Sequence, residues 1–81
     1  MKITATFFAA HRKAVGQHRL TWYVARGATV EELLDELVAC FPDLGDLRST
    51  TIVSRNHRVV DGSDILEDGD EIALLSPVGG G

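Results

Sequence analysis

Hydrophobic and polar positions along this chain change period several times, and each change marks an element. Between Lys2 and Phe8, Ile3, Ala5 and Phe7 alternate with Thr4, Thr6 and Phe8, the two-sided pattern of β-branched and aromatic residues that predicts a strand. Residues 9–15 have a short helical look and stop at Gly16. Leu20, Trp22 and Val24 then alternate with Thr21 and Tyr23, a second strand. The stretch 9–17 is too long for a tight turn and suits a hairpin loop that contains a turn of helix.

A helical period follows. Thr29 with Glu32 three residues on forms a capping box, in which each satisfies a backbone N–H that the helix itself leaves unpaired. Val30, Leu33, Leu34, Leu37, Val38 and Phe41 then recur as one apolar stripe, with Glu31, Asp35 and Glu36 outside it and Pro42 as the stop. Phe41 belongs with the core on this reading, and Cys40 sits at the flank of the stripe as a small, half-buried side chain. Residues 43–49 read as a polar connection. Residues 51–55 predict a third strand, Asn56-His57 a turn, and Arg58-Val59-Val60 a short return strand. Asp61-Gly62-Ser63 and Asp68-Gly69-Asp70 punctuate the chain, with Ile65-Leu66 between them tucked under the sheet. Residues 71–76, with Ile72, Ala73, Leu74 and Leu75, are apolar on both faces, as a central strand should be. Hairpin, helix, short strands and a last strand beside the first make an α+β fold, the β-grasp or ubiquitin-like roll: a mixed sheet of four to five strands with one main helix across one face. The division is a β-grasp domain over 1–76 and a flexible glycine-rich tail over 77–81.

Length and charge narrow the function. With 81 residues there is one domain, which buries only about 60% of the surface its unfolded chain exposes. A self-contained catalytic cleft of several hundred Å³ is hard to line from so small a core. A net charge of −4 with scattered arginines argues against nucleic acid as a partner. Six acidic side chains and no basic one lie between Asp61 and Glu71. They read either as a solvated edge or as a surface that steers a basic partner. The lone Cys40 excludes an internal disulfide, and no apolar stretch approaches the length of a membrane span. The expectation is a soluble protein of the cytoplasm, with no membrane partner.

Catalytic motifs are lacking. His11, His18 and His57 fall in separate loops or strand ends without metal-ligand spacing, so no metal is expected. Cys40 has no histidine or basic group placed to form its thiolate. Asp68-Gly69-Asp70 lacks the alternating ligands of a calcium loop. There is no phosphate-binding glycine loop. What remains is Pro77-Val78-Gly79-Gly80-Gly81. A terminal glycine pair arises by chance in about 0.5% of chains of average composition, so the tail reads either as fraying or as a device. Pro77 restricts the exit from the last strand, and residues without side chains can thread a channel closed to larger ones. Fully extended, residues 77–81 reach about 17 Å, and an unhindered terminal carboxylate suits adenylation.

Taken together, Phe7-Phe8-Ala9 with Arg12 and Val15-Gly16, and Leu66-Glu67-Asp68-Gly69-Asp70-Glu71-Ile72-Ala73 followed by Pro77-Val78-x-Gly80-Gly81, resemble the MoaD/ThiS family of ubiquitin-like sulfur carriers over the whole chain. Thiamine-type carriers are usually shorter and lack the Pro-Val step, so the resemblance is to the molybdopterin synthase small-subunit branch. Ser76 stands where that branch usually has a proline, and Arg55 where an apolar residue usually precedes Asn56. The resemblance implies a protein that is not an enzyme on its own. An E1-like adenylyltransferase would adenylate Gly81 with ATP, and a sulfurtransferase or desulfurase would supply sulfur to give a thiocarboxylate. The large subunit of molybdopterin synthase, in a heterotetramer, would accept that sulfur onto cyclic pyranopterin monophosphate. No bound cofactor is implied. Gly81 carries the chemistry with Gly80 beside it, and Phe8, Val59, Leu75, Pro77, Val78 and Gly79 meet the partners, with Leu75 readable equally as core or patch. Other routes stay open: a carrier for cysteine, thiamine or tRNA thiolation, a lysine-directed modifier, or a ubiquitin-like binding module with an idle tail.

Overall fold

The computed structural model describes residues 1–77. Five strands, β1 (Lys2–Phe7), β2 (Arg19–Tyr23), β3 (Ile52–Arg55), β4 (Arg58–Val60) and β5 (Glu71–Leu75), form one sheet in the order β2-β1-β5-β3-β4. Only the β1–β5 pairing is parallel, so the last strand lies centrally beside the first, in the β-grasp arrangement that the sequence pattern predicts. Helix α1 (Ala9–Val15) bridges β1 and β2, and α2 (Val30–Cys40) lies between β2 and β3 in the chain. None of the helices described is long and apolar enough to cross a membrane.

One face of the sheet is sealed. Ile3, Ala5 and Phe7 of β1, Val53 of β3 and Ile72 and Leu74 of β5 join Val30, Leu33 and Leu37 of α2 in a single buried cluster. The helix begins where its first N–H groups all find acceptors. Glu32 N donates to Thr29 Oγ1 at 3.2 Å and Thr29 N to Glu32 Oε1 at 3.2 Å, which completes the capping box. Val30 N and Glu31 N donate to the carbonyls of Asp64 and Gly62, each at 2.9 Å. A Cβ on Gly62 would stand 3.3 Å from that of Glu31, so glycine there permits the 62–66 segment to lie against the helix start. Helix α1 ends in a left-handed Gly16 at φ 83°, whose N–H caps the Arg12 carbonyl. Asn56 and His57 both have positive φ (51° and 70°), the conformation of a two-residue hairpin turn that follows the right-handed twist of its strands.

Four expectations need correction. The 43–49 connection is two 3-10 turns, Pro42–Asp46 and Arg48–Thr50, and Leu44 within the first is buried in the core. Of Ile65 and Leu66 only Leu66 is buried. Ile65 pairs with Thr29 in an isolated bridge and points outward, because alternate residues of an extended segment face opposite ways. Cys40, in the last turn of α2, is exposed rather than half-buried. His11 is no loop residue: it lies in α1 and is 1% exposed.

Candidate functional site

The uncovered face of the sheet is read from its register. Paired residues on neighbouring strands share a face, so Arg19 (β2), Thr6 (β1), Ala73 (β5), Ser54 (β3) and Val59 (β4) form one row across all five strands. Leu75 and Ile52 pair on one side of that row, and Thr4 and Glu71 on the other. Thr6, Ala73 and Ser54 are small, so the middle of the face sinks into a shallow concavity of about 360 Å³ between Phe8 and Leu75 at one end and Arg19, Glu71 and His57 at the other.

The apolar end is held in place locally. Phe8 follows β1, its N–H donates to the Leu74 carbonyl at 3.3 Å, and its side chain is 44% exposed. His18 Nδ1 donates to the Phe7 carbonyl at 2.9 Å, and the Phe8 and His18 rings meet edge to face at 5.3 Å. Ala9, the next residue, has a positive φ of 48°, an uncommon conformation for a residue with a Cβ, and this turns the chain from strand into helix just after the exposed ring. Leu75 is half-buried and lines the concavity, so it belongs to the open face and not to the core. Val59 is 76% exposed at the β4 edge, where it lines a separate polar groove beside Arg58, Val60 and Asp61. The structure thus brings Phe8 and Leu75 together and sets Val59 apart on the same face. Ser76 and the exposed Pro77 continue from β5. Val78, Gly79, Gly80 and Gly81 lie outside the described residues.

The charged end is looser. Glu71 receives Arg19 Nη2 at 3.6 Å and His57 Nε2 at 3.7 Å, distances longer than hydrogen bonds. Next to it, Asp70 is 5% exposed and saturated: its carboxylate accepts from Arg55 Nε at 2.6 Å, Glu67 N at 2.8 Å and Asn56 Nδ2 at 2.9 Å. Arg55 also lies 3.7 Å from Asp64 and 3.8 Å from Glu67. Burial works against ionisation of Asp70. The Glu67 amide, Arg55 and Asn56 together outweigh it and hold the carboxyl below the usual carboxylate range. The 61–71 run is therefore neither simply a solvated edge nor wholly a steering surface. Asp70 is structural, Asp68 accepts from Lys2 N at 2.8 Å, and Asp61 accepts from Ser63 in its own turn. Glu71 is the acid turned onto the open face.

Arg19, Thr6, Ser54 and Ala73 escaped the sequence reading, while Glu71 entered it only as one acid of the 61–71 run and His57 only as a metal-ligand candidate. Their signal was present in the strand parity: Glu71, Ala73 and Leu75 share a face, and so do Thr4 and Thr6. Placing them in one concavity also requires the inter-strand register. Among the described residues no group of three or more His, Cys, Asp or Glu side chains is placed to hold a metal ion.

Comparison with known proteins places this architecture. The profile of the ThiS family matches residues 5–81. The molybdopterin synthase sulfur carrier subunit of Arabidopsis thaliana is 35% identical over 81 residues, covering 100% of this chain and 84% of that protein. Small archaeal modifier protein 3 of Haloferax volcanii is 35% identical over 92 residues, covering 100% of both chains. Among solved structures, SAMP1 from Haloferax volcanii superposes with a TM-score of 0.88 at 28% identity, over 100% of both chains. With a family match that takes in the roll and the glycine ending alike, the chain belongs to the ThiS/MoaD family of ubiquitin-like sulfur carriers.

Proposed function

We propose that this protein is the sulfur-donating small subunit of a molybdopterin synthase, with Gly81 as the group that is activated and Gly80 beside it. The observation that carries this reading is the similarity to a molybdopterin synthase sulfur carrier subunit over the whole chain, Gly80-Gly81 included. The chemistry follows from the weakness of a carboxylate as an electrophile. A Gly81 carboxylate oxygen attacks the α-phosphorus of ATP on an E1-like adenylyltransferase, pyrophosphate leaves, and an acyl adenylate results. The outer sulfur of a persulfide, held by a sulfurtransferase or desulfurase, attacks the carbonyl carbon and AMP departs. A thiol then cleaves the acyl disulfide, leaving the Gly81 thiocarboxylate and a disulfide on the donor side. In the synthase large subunit the thiocarboxylate sulfur passes to cyclic pyranopterin monophosphate and the carboxylate is restored. Glycines suit both steps, since a residue without a side chain threads a narrow channel and leaves the carbonyl open to attack. Phe8 and Leu75, next to the exit of β5, supply apolar area for docking, and Pro77 stiffens that exit.

Complementation tests the pathway. In a strain that lacks its own small subunit, the full chain restores molybdoenzyme activity and a chain without Gly80-Gly81 does not. Failure of the full chain, although it becomes thiocarboxylated in that strain, would move the acceptor to another route. A second reading rests on the equal similarity to a small archaeal modifier protein: the same acyl adenylate captured by a lysine amine instead of sulfur. Covalent ladders of higher mass after coexpression with the activating enzyme would favour it.

A further inference from the structure

The concavity on the open face has two unlike ends joined by a floor of small residues. Phe8, Ala73 and Leu75 form the apolar end, and the Glu71 carboxylate closes the other. Glu71 is a half-used acceptor. Its backbone N–H is taken by Asn56 Oδ1 at 2.9 Å, but among the described residues the carboxylate has only the two distant cations, Arg19 and the His57 ring, the latter a cation only when protonated. Both of those side chains are more than half exposed, and such pairs hold weakly in water. A long aliphatic stem ending in a planar cation matches this arrangement. The stem would lie over Ala73 and Leu75, and the fork would reach Glu71 with two parallel N–H donors. Glu71 is the one acid among the residues that line the concavity, and with a net charge of −4 on the chain it favours a cation here over an anion.

We propose that this concavity receives an arginine side chain of the partner protein that docks on the open face, with Glu71 as the residue that recognises it. This rests on the carrier reading for the existence of such a partner. It adds the chemistry of the anchor: arginine, aromatic and apolar side chains are those that most often dominate an interface when they fill a pocket at its centre. Docking removes water from Glu71 and turns a weak surface acid into a strong acceptor. Specificity then follows, because a partner with an acid or an aliphatic side chain at that point leaves Glu71 buried and unpaired.

The test needs no activating enzyme. The full chain, uniformly labelled with nitrogen-15, is titrated with N-acetyl-arginine amide and separately with N-acetyl-norleucine amide, and amide shifts are followed by NMR. Arginine amide is expected to shift Ser54, Glu71 and Ala73 together. The Glu71→Gln variant should weaken that response about tenfold or more, as loss of a charge-assisted hydrogen bond worth about 1.5–3 kcal/mol implies. Asp43→Asn, a change in the 3-10 turn after α2, should leave it intact. Equal shifts with norleucine amide, or an unchanged response in Glu71→Gln, would overturn the proposal. So would shifts that depend on protein concentration without ligand, which would assign the face to a second copy of this chain. These outcomes are read whether or not Gly81 is ever thiocarboxylated, so failure here is separable from failure of the carrier reading. With the activating enzyme in hand, Glu71→Arg should lower the rate of thiocarboxylate formation at subsaturating carrier and leave the rate at saturation near that of the native chain.

Discussion

Asp70 and His11 are the two buried polar side chains of the described residues, and they respond to acid in different pH windows. Asp70 ties the β3–β4 turn to the start of β5 through Arg55 and Asn56. Replacing it with alanine leaves those donors unmatched, and urea unfolding should show a loss of about 2–4 kcal/mol. Because its folded pKa is depressed, its contribution is complete above the ordinary carboxylate value of about 3.9 and disappears as pH falls through the lower folded value. His11 behaves otherwise. Its Nε2 lies 2.7 Å from Thr51 Oγ1, whose hydroxyl donates to the Leu47 carbonyl, so the ring is the donor, and buried Nδ1 has no partner among the described residues. Burial pushes its pKa down and the Phe8 carbonyl offsets only part of that. The unfolded chain therefore takes up a proton first, and stability should decline as pH drops below about 6.5. In His11→Leu, chemical denaturation between pH 7 and pH 5 should lose most of that slope; an equal slope would assign it to other groups. Arg55 has a structural role here, since its guanidinium completes the Asp70 network. No one-residue pattern reveals that pairing, because the partners lie fifteen positions apart.

At the scale of elements, local signals in the sequence were enough wherever the chain satisfies itself locally. The Thr29–Glu32 capping box, the stop at Pro42 and the Asn56-His57 turn all stand where the residue types place them. Thr29→Ala should cost about 1 kcal/mol, a drop of about 4–8 °C in the melting temperature for a domain of this size. His57→Gly should raise stability by about 1 kcal/mol, because glycine adopts the positive φ of 70° without the Cβ penalty. Thermal melts of the two variants should thus move in opposite directions. Elements fixed by distant contacts were harder to read. Leu44 looked like part of a polar connection, yet the 3-10 turn delivers it to the core beside α1 and α2. Ile65 looked like a core partner of Leu66, yet the bridge to Thr29 fixes the parity and sends it outward.

For the molecule as a whole, the proposed division of labour is between a roll that docks and an ending that reacts. The reading of the ending rests on residue identity and on the family match, because residues 78–81 lie outside those described. Of the face, Phe8 was recoverable from alternation in β1. The concavity that joins it to Leu75, Ala73 and Glu71 depends on the parallel β1–β5 pairing, which a single strand pattern does not encode. Because Gly80 and Gly81 add no buried side chain, their removal should leave the melting temperature within about 4 °C of the full chain, surface changes being worth less than about 0.5 kcal/mol. The carrier chemistry is tested most directly by the intact mass of the full chain after incubation with an E1-like adenylyltransferase, ATP and a persulfide donor. A gain equal to exchange of one oxygen for sulfur is expected, located at Gly81 and absent from the chain shortened by Gly80-Gly81. An unchanged mass, under conditions where the same enzyme and donor convert another carrier, would contradict it.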